Sequence, residues 1–418
     1  MPSFIGPKTG AMALAALCAA GLQPALAAEA EVLHWWTSPG EQRAVGTLKR
    51  GLQAQGHTWK DFAVTGGGGE SAMALLQSRV LAGNAPAAAQ MKGPQLRAWA
   101  AAGVLSNIDD VARNWDAMLS KVVADNVKYQ GHYVAVPLNV HRVNWLWINA
   151  ELLAKTGLPP PTTWDEFFVV ADALKRIGVT PLSHGGQSWQ DLTLFESVVL
   201  GVGGPDFYRS VFVTPDSASY TGKTMTDALE IFRRLRSYVD PHAGGKDWNL
   251  ATNQVIAGNA AMQIMGDWAK GEFLAANRDG LQRFICIPSP GTAGAFDYSI
   301  DSLAMFNLRD KEKVVAQKAL ATSVFSPEFQ EVFSQQKGSI PARTDLKLSQ
   351  ADHCAKRSSL DFVAASKAGT LVPSAAHGMT LNTVTQSALR EVISQFWNDA
   401  RISVDGAQQR LLVASKFR

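Results

Sequence analysis

The chain has 418 residues, 46% of them hydrophobic, with 39 lysines and arginines against 36 aspartates and glutamates. A formal charge of +3, scattered and without basic runs, excludes nucleic acid or an anionic membrane surface as the main partner. The length allows two or three domains with a sizeable core.

The first predicted element is one that is removed. Lys8 gives a weakly positive start, residues 11–22 are an apolar run, and Ala25-Leu26-Ala27 is a small-x-small cleavage site, so residues 1–28 read as a signal peptide. The run is too short to span a bilayer, and an exported, soluble protein is expected. Losing Lys8 lowers the charge from +3 to +2. Cys18 leaves with the same segment. Cys286 and Cys354 remain and read as one disulfide, the alternative being two buried thiols. Neither has a histidine or second cysteine at zinc spacing, so no metal is expected.

Residues 31–36 are predicted as a strand and 40–53 as a helix, with Val45, Leu48 and Leu52 at helical spacing. A second strand is expected at 62–65. Gly66-Gly67-Gly68-Gly69 then leads into a helix over 70–81, with Met73, Leu76, Val80 and Leu81 on one face. Residues 87–91 form a third strand. Pro94 suits the start of the next helix and Gly103 its close. Alternating strands and helices predict an α/β layer with a mostly parallel sheet. From Tyr133 two alternating apolar runs, broken at residues 137–142, predict an extended crossing into another domain. Thr163 then reads as an N-cap with Glu166 as its capping-box partner. Helices follow near 192–200, 226–238 and 252–257. A strand at 262–265 ends at Gly266-Asp267-Trp268. A second crossing is expected at 298–307, and the chain is mainly helical from Pro327.

In open parallel sheets, ligands bind beyond the carboxyl ends of the strands. Four features share that edge: Trp35-Trp36, the glycine run, Gln90 with Lys92, and Asp267-Trp268. Glu41 lies in the first turn of the helix after the tryptophan pair. The chain has twelve tryptophans against six tyrosines. Indole faces pack on the C–H faces of a pyranose, while ionic and amide groups bind its hydroxyls, which both donate and accept. Core packing is the alternative for the tryptophan pair. The glycine run lacks the Lys-Ser/Thr of a P-loop and the dinucleotide spacing, so it reads as a tight turn rather than a phosphate cradle. No nucleophile elbow or zinc-protease helix is present. A glycoside hydrolase using Glu41 and Asp301 is the catalytic alternative. His34, His132, His141 and His184 read as ordinary polar or packed residues rather than metal ligands.

Seven stretches then carry a resemblance in their order and spacing: "EVLHWWTSPGE", "TGGGGESAMALLQSRVLAGNAP", "GVLSNIDDVA", "TTWDEFFVVADAL", "AAMQIMGDWAKGEF", "KGSIPAR" and "HGM". Together they resemble the periplasmic solute-binding proteins of carbohydrate ABC transporters, and most of all the glucose-binding proteins of the Pseudomonas type. "APAAAQ" departs from that pattern, which usually has an aspartate between the prolines and the glutamine. The resemblance implies a two-lobed α/β fold of the type II-like periplasmic binding class, each lobe a mostly parallel sheet flanked by helices, joined by hinge crossovers. It divides the chain into a signal peptide (1–28), the first lobe (29–138, returning at 301–343) and the second lobe (139–300, with a helical segment at 344–418). It implies that Trp35 and Trp36 form an apolar wall and that Glu41 accepts sugar hydroxyls. Gln90 and Lys92 would donate to them, and Trp248 and Trp268 would close the site from the second lobe. Asp301, Lys337 and His377 would complete a polar ring. It implies a periplasmic monomer that binds a monosaccharide without turnover, needs no cofactor and delivers its sugar to an inner-membrane ABC permease. A binding protein for another small polar solute is the remaining alternative.

Overall fold

The computed structural model describes residues 1–3, 6, 27–66, 69–276 and 280–417. Most of the predicted signal peptide lies outside these residues, as do Gly67 and Gly68 of the glycine run. No helix among the described residues is long and apolar enough to cross a membrane.

The strands in chain order are β1 (Glu29–His34), β2 (Thr58–Ala63), β3 (Ala88–Met91), β4 (Lys128–Tyr129), β5 (His132–Tyr133), β6 (Ala135–Arg142) and β7 (Trp145–Asn149). They continue with β8 (Thr180–Leu182), β9 (Ala260–Ile264), β10 (Phe284–Pro288), β11 (Phe296–Met305), β12 (Ile340–Pro341) and β13 (Leu371–Pro373). One lobe is built on a sheet ordered β12-β6-β11-β3-β1-β2, with β13 also paired to β11. The other is built on β10-β7-β9-β8, and β4 and β5 form a small ribbon.

The sheets are mixed, not mostly parallel. β1 runs parallel to β2 and β3, as strands joined through helices do. β11 is antiparallel to both β3 and β6, and in the second sheet β8–β9 is the parallel pair while β7 is antiparallel to β9 and β10. The chain leaves the first sheet along β6 and returns along β11, and strands that leave and return point opposite ways.

The predicted break at 137–142 is a continuous strand. Pro137 cannot donate to the ladder, and the pairing absorbs it in a bulge: Asn139 sits opposite Asp301, but Pro137 sits opposite Ser302. β6 therefore stays in the first sheet to Arg142, past the boundary expected at 138. β11 rejoins at Phe296, before the boundary expected at 300. Within the segment assigned to the second lobe, β13 pairs with β11. Phe362 and Ala365 of the helix His353–Ala368 also pack into the first core, Phe362 edge-on to Phe296 at 5.2 Å. The later helices Thr383–Asn398 and Val404–Ala414 do pack into the second core.

The helix caps are read accurately, whereas the second strand, expected at 62–65, runs Thr58–Ala63. The helix Pro39–Ala54 starts with a reciprocal capping box between Ser38 and Glu41, has proline in its first turn and buries Ala44, Val45, Leu48 and Leu52. Thr163 and Glu166 form the second capping box at the helix Trp164–Arg176. In the helix Glu70–Leu81, Leu76 is buried, but Leu81 is exposed, because it lies at the last position, beyond the cover of β1. A third apolar cluster lies at the seam of the lobes: Trp145, Trp147, Trp189, Trp248 and Trp268 with Phe273. There Cys286 of β10 is bonded to Cys354 of the helix His353–Ala368, with Cα atoms 6.0 Å apart. His353 lies beside them, but bonded sulfurs are not thiolate ligands.

Candidate functional site

A small cavity, about 20 Å³, lies between the lobes. All ten residues expected in the site line it, together with His141 and Trp189. In the first lobe the chain passes from β1 straight into Trp35 and Trp36. Gln90 is on β3 and Lys92 follows it. His141 and Asp301 come from β6 and β11, beside the bulge, and bulges commonly re-aim side chains at functional sites. Lys337 ends the helix Pro327–Lys337. From the second lobe, Trp268 follows β9, while Trp189 and Trp248 sit in the first turns of the helices Ser188–Phe212 and Trp248–Ile256. His377 is in the turn after β13.

Both tryptophans line the cavity and also belong to the first core. Trp36 is 1% exposed, stacks on His34 at 5.6 Å and meets the edge of Phe333 at 5.8 Å. Trp35 lies flat on Gly69, where an added Cβ would come within 2.9 Å of the ring. Trp268 lies on Gly266 in the same way, with an added Cβ 2.1 Å from its ring. Each glycine lets an indole press one face on backbone and keep its other surface for the cavity. His34 is a support rather than a lining residue. Its Nδ1 accepts the Trp36 N–H at 3.3 Å and its Nε2 faces Asp61 at 3.1 Å. Burial lowers its pKa, against the pull of Asp61, which keeps it in the neutral form that Trp36 needs.

Two carboxylate–ammonium pairs face the cavity. Lys337 Nζ is 3.1 Å from Glu41 Oε1, and Glu41 Oε2 accepts the N–H groups of Thr37 (3.1 Å) and Ser38 (3.3 Å). One carboxylate thus caps its helix and presents charge to the cleft. Lys92 Nζ is 3.1 Å from Asp301 Oδ1. Gln90 donates to the same oxygen at 3.3 Å, and its own carbonyl accepts the Trp35 N–H at 3.2 Å. His141 lies between Asp267 and Asp301, 3.2 Å from Asp301 Oδ2. Burial would raise the pKa of Asp301, but Lys92, the hydrogen bond to His141 and the charge of Lys337 hold it well below the usual carboxylate range. Burial, then the charges of Lys92 and His141, hold His377 well below its usual value, so this imidazole is neutral. His377 Nδ1 meets Ser374 Oγ at 2.9 Å, and its ring lies 4.7 Å from that of Trp268.

Each lining carboxylate is paired with a lysine, and a hydroxyl, which both donates and accepts, can bridge such a pair. Asp301, held ionised, does not fit the general acid of the glycosidase alternative, which needs a raised pKa. Two lining residues escaped the sequence reading. His141 reads in sequence as an ordinary polar residue, although it shares a strand face with Asn139, which lies opposite Asp301. Trp189 follows "SHGGQS" at a helix start, a placement like that of Trp248.

Residues 51–328 match the family model for bacterial extracellular solute-binding proteins. A relative from Brucella melitensis named as a probable sugar-binding periplasmic protein is 44% identical over 415 residues, covering 97% of this chain and 98% of its own. Among solved structures, the solute receptor AcbH, described as having an exclusive preference for β-D-galactopyranose, matches with a TM-score of 0.77 at 18% identity, over 93% of this chain and 98% of its own. A chitin oligosaccharide binding protein matches with a TM-score of 0.76 at 17% identity, over the same shares of each chain. At such identities these structures establish the two-lobed fold alone.

Proposed function

This chain belongs to the bacterial extracellular solute-binding protein family, and we propose that its solute is a single neutral hexose, glucose first among candidates. The protein binds the sugar in the periplasm and passes it to an ABC permease without turnover. The observation that carries the proposal is the meeting of indoles from both lobes with two balanced ion pairs around one small enclosed space. That space is about 20 Å³, far below the roughly 300 to 1,000 Å³ of ligand pockets, so the lobes must part even for one ring, and one ring asks less of them than a chain. The fold does not choose, since its relatives include proteins named for one sugar and for oligosaccharides. The name of the Brucella melitensis relative supports both sugar and periplasm.

A hydroxyl both donates and accepts, so it can insert between Lys92 and Asp301, or between Lys337 and Glu41, and satisfy both partners. Trp35 and Trp36 form one wall for the ring, and Trp248 and Trp268 the other. Contacts on both lobes are made together only when the cleft is shut, so binding favours the closed form, the shape the permease recognises. Micromolar affinity requires about −8 kcal/mol, within reach of two ring contacts and several charge-assisted hydrogen bonds.

Tryptophan fluorescence titrated with glucose, galactose, maltose and spermidine tests the proposal. Glucose is expected to saturate in the micromolar range, galactose more weakly and spermidine not at all, with little salt dependence. Trp268→Ala is expected to weaken glucose binding at least tenfold, about 1.4 kcal/mol. No response to any hexose rejects the proposal.

A further inference from the structure

A second, largely filled chamber, of about 30 Å³, adjoins the cavity and shares Trp35, Lys92 and His377 with it. Its remaining walls are mainly two helix faces, one from each lobe. Glu70 and Met73 come from the helix Glu70–Leu81. Thr383, Gln386, Ser387 and Arg390 come from the helix Thr383–Asn398, at the i, i+3, i+4, i+7 spacing of a single face. At the rim the guanidinium of Arg390 meets the carboxylate of Glu70 across the gap between the lobes. The Arg390 side chain is 15% exposed and that of Glu70 is 50% exposed, so the arginine lies beneath the rim and the carboxylate at solvent.

We propose that Arg390 is a size-selecting gate: in the closed protein it fills the space that a second sugar unit joined to the bound hexose would need. This rests on the monosaccharide reading and names the residue that limits chain length. A half-exposed ion pair contributes little by itself. The gate therefore acts by volume, with Glu70 setting the direction of the arginine. The chamber also offers a second sugar poor compensation. Gln386 Nε2 is committed to the carbonyls of Ala375 (2.9 Å) and Ala376 (3.1 Å), in the turn that carries His377.

Calorimetric titration of the full chain with glucose, maltose, cellobiose and isomaltose reads the gate as a ratio of affinities, the three disaccharides covering different linkages. The wild type is expected to prefer glucose over each disaccharide by about 100-fold or more. Arg390→Ala is expected to narrow that ratio about tenfold or more for at least one disaccharide, with glucose affinity kept within about threefold. Glu70→Ala, a change at an exposed position, leaves the arginine undirected and is expected to narrow the ratio less. The gate is overturned if neither variant changes the ratio for any disaccharide, or if the wild type already binds one as tightly as glucose. A wild type that binds disaccharides but no hexose overturns the solute reading itself, and is told apart by its lack of any glucose signal.

Discussion

Asp301 is a buried carboxylate whose neighbours decide its chemistry. Lys92, Gln90 and His141 all face it, and Asp301→Asn removes the ion they surround and leaves Lys92 with a weaker acceptor. Truncating one partner of a buried pair is costly because the other stays buried and uncompensated. The expected result is glucose affinity lowered about 100-fold, or 2.7 kcal/mol, in a calorimetric titration. Asp297, on the same strand, is the opposite case. Neither of its oxygens meets a hydrogen-bond donor among the described residues, and it faces Glu196, with Tyr208 and Arg142 nearby. Burial first, then the charge of Glu196, raises its pKa well above the usual range, and burial raises Glu196 to about 7. For acids with raised folded-state values, the stabilisation is complete below the unfolded value near 4.5 and is lost as pH rises through about 7. Asp297→Asn is therefore expected to stabilise the protein more at pH 8 than at pH 5, by about 1–2 kcal/mol. Thermal melts at the two pH values check the difference. Neither role is legible in sequence, where both residues are simply aspartates in one extended run.

The helix Pro39–Ala54 was readable in advance because everything that starts it is local: Ser38, Pro39, Glu41 and a 3.6-residue apolar repeat. What it does across the cleft was not readable. Its N-terminus meets Glu272 of the second lobe, whose carboxylate accepts from Ser38 Oγ at 2.7 Å and from the Gly40 N–H at 2.8 Å. Arg43 donates to the Gly271 carbonyl at 2.8 Å. An anion at a helix N-terminus is favourable, and here it comes from the other lobe. A Cβ on Gly40 would lie 2.6 Å from the Glu272 carboxylate and 2.7 Å from the Gly271 carbonyl carbon. Gly40→Ala is expected to weaken glucose binding about tenfold, or 1.4 kcal/mol, without touching the sugar. The melting temperature of the sugar-free protein should barely change. An unchanged affinity in the same titration would show that closure does not need this contact.

At the scale of the molecule, the disulfide joins a strand of the second sheet to a helix that packs on the first core. It therefore ties elements of the two lobes together. Its 68-residue separation predicts a stabilisation of about 4 kcal/mol from chain entropy. Replacing both cysteines by serine should cost up to that amount, seen as a lower urea midpoint at unchanged slope. Arg142 lies at the same seam, fully buried, 2.6 Å from Asp361 and stacked on Trp145 and Phe296. Expected lobe boundaries missed this region. The first sheet keeps β6 to its end and recovers β13 from the C-terminal segment, and such pairings depend on strands far apart in the chain.

The sequence by itself determined the α/β class, the capped helices and the tryptophans at strand ends. All of these rest on short-range periodicity, capping or composition. The tertiary structure decided the rest: the mixed sheets, the bulge beside Asp301, the addition of His141 and Trp189 to the cavity, and the contacts between the lobes. Those outcomes depend on which distant groups meet and what burial does to their charge, and no local pattern encodes a neighbour 200 residues away, such as Gln90 has in Asp301, at a separation of 211.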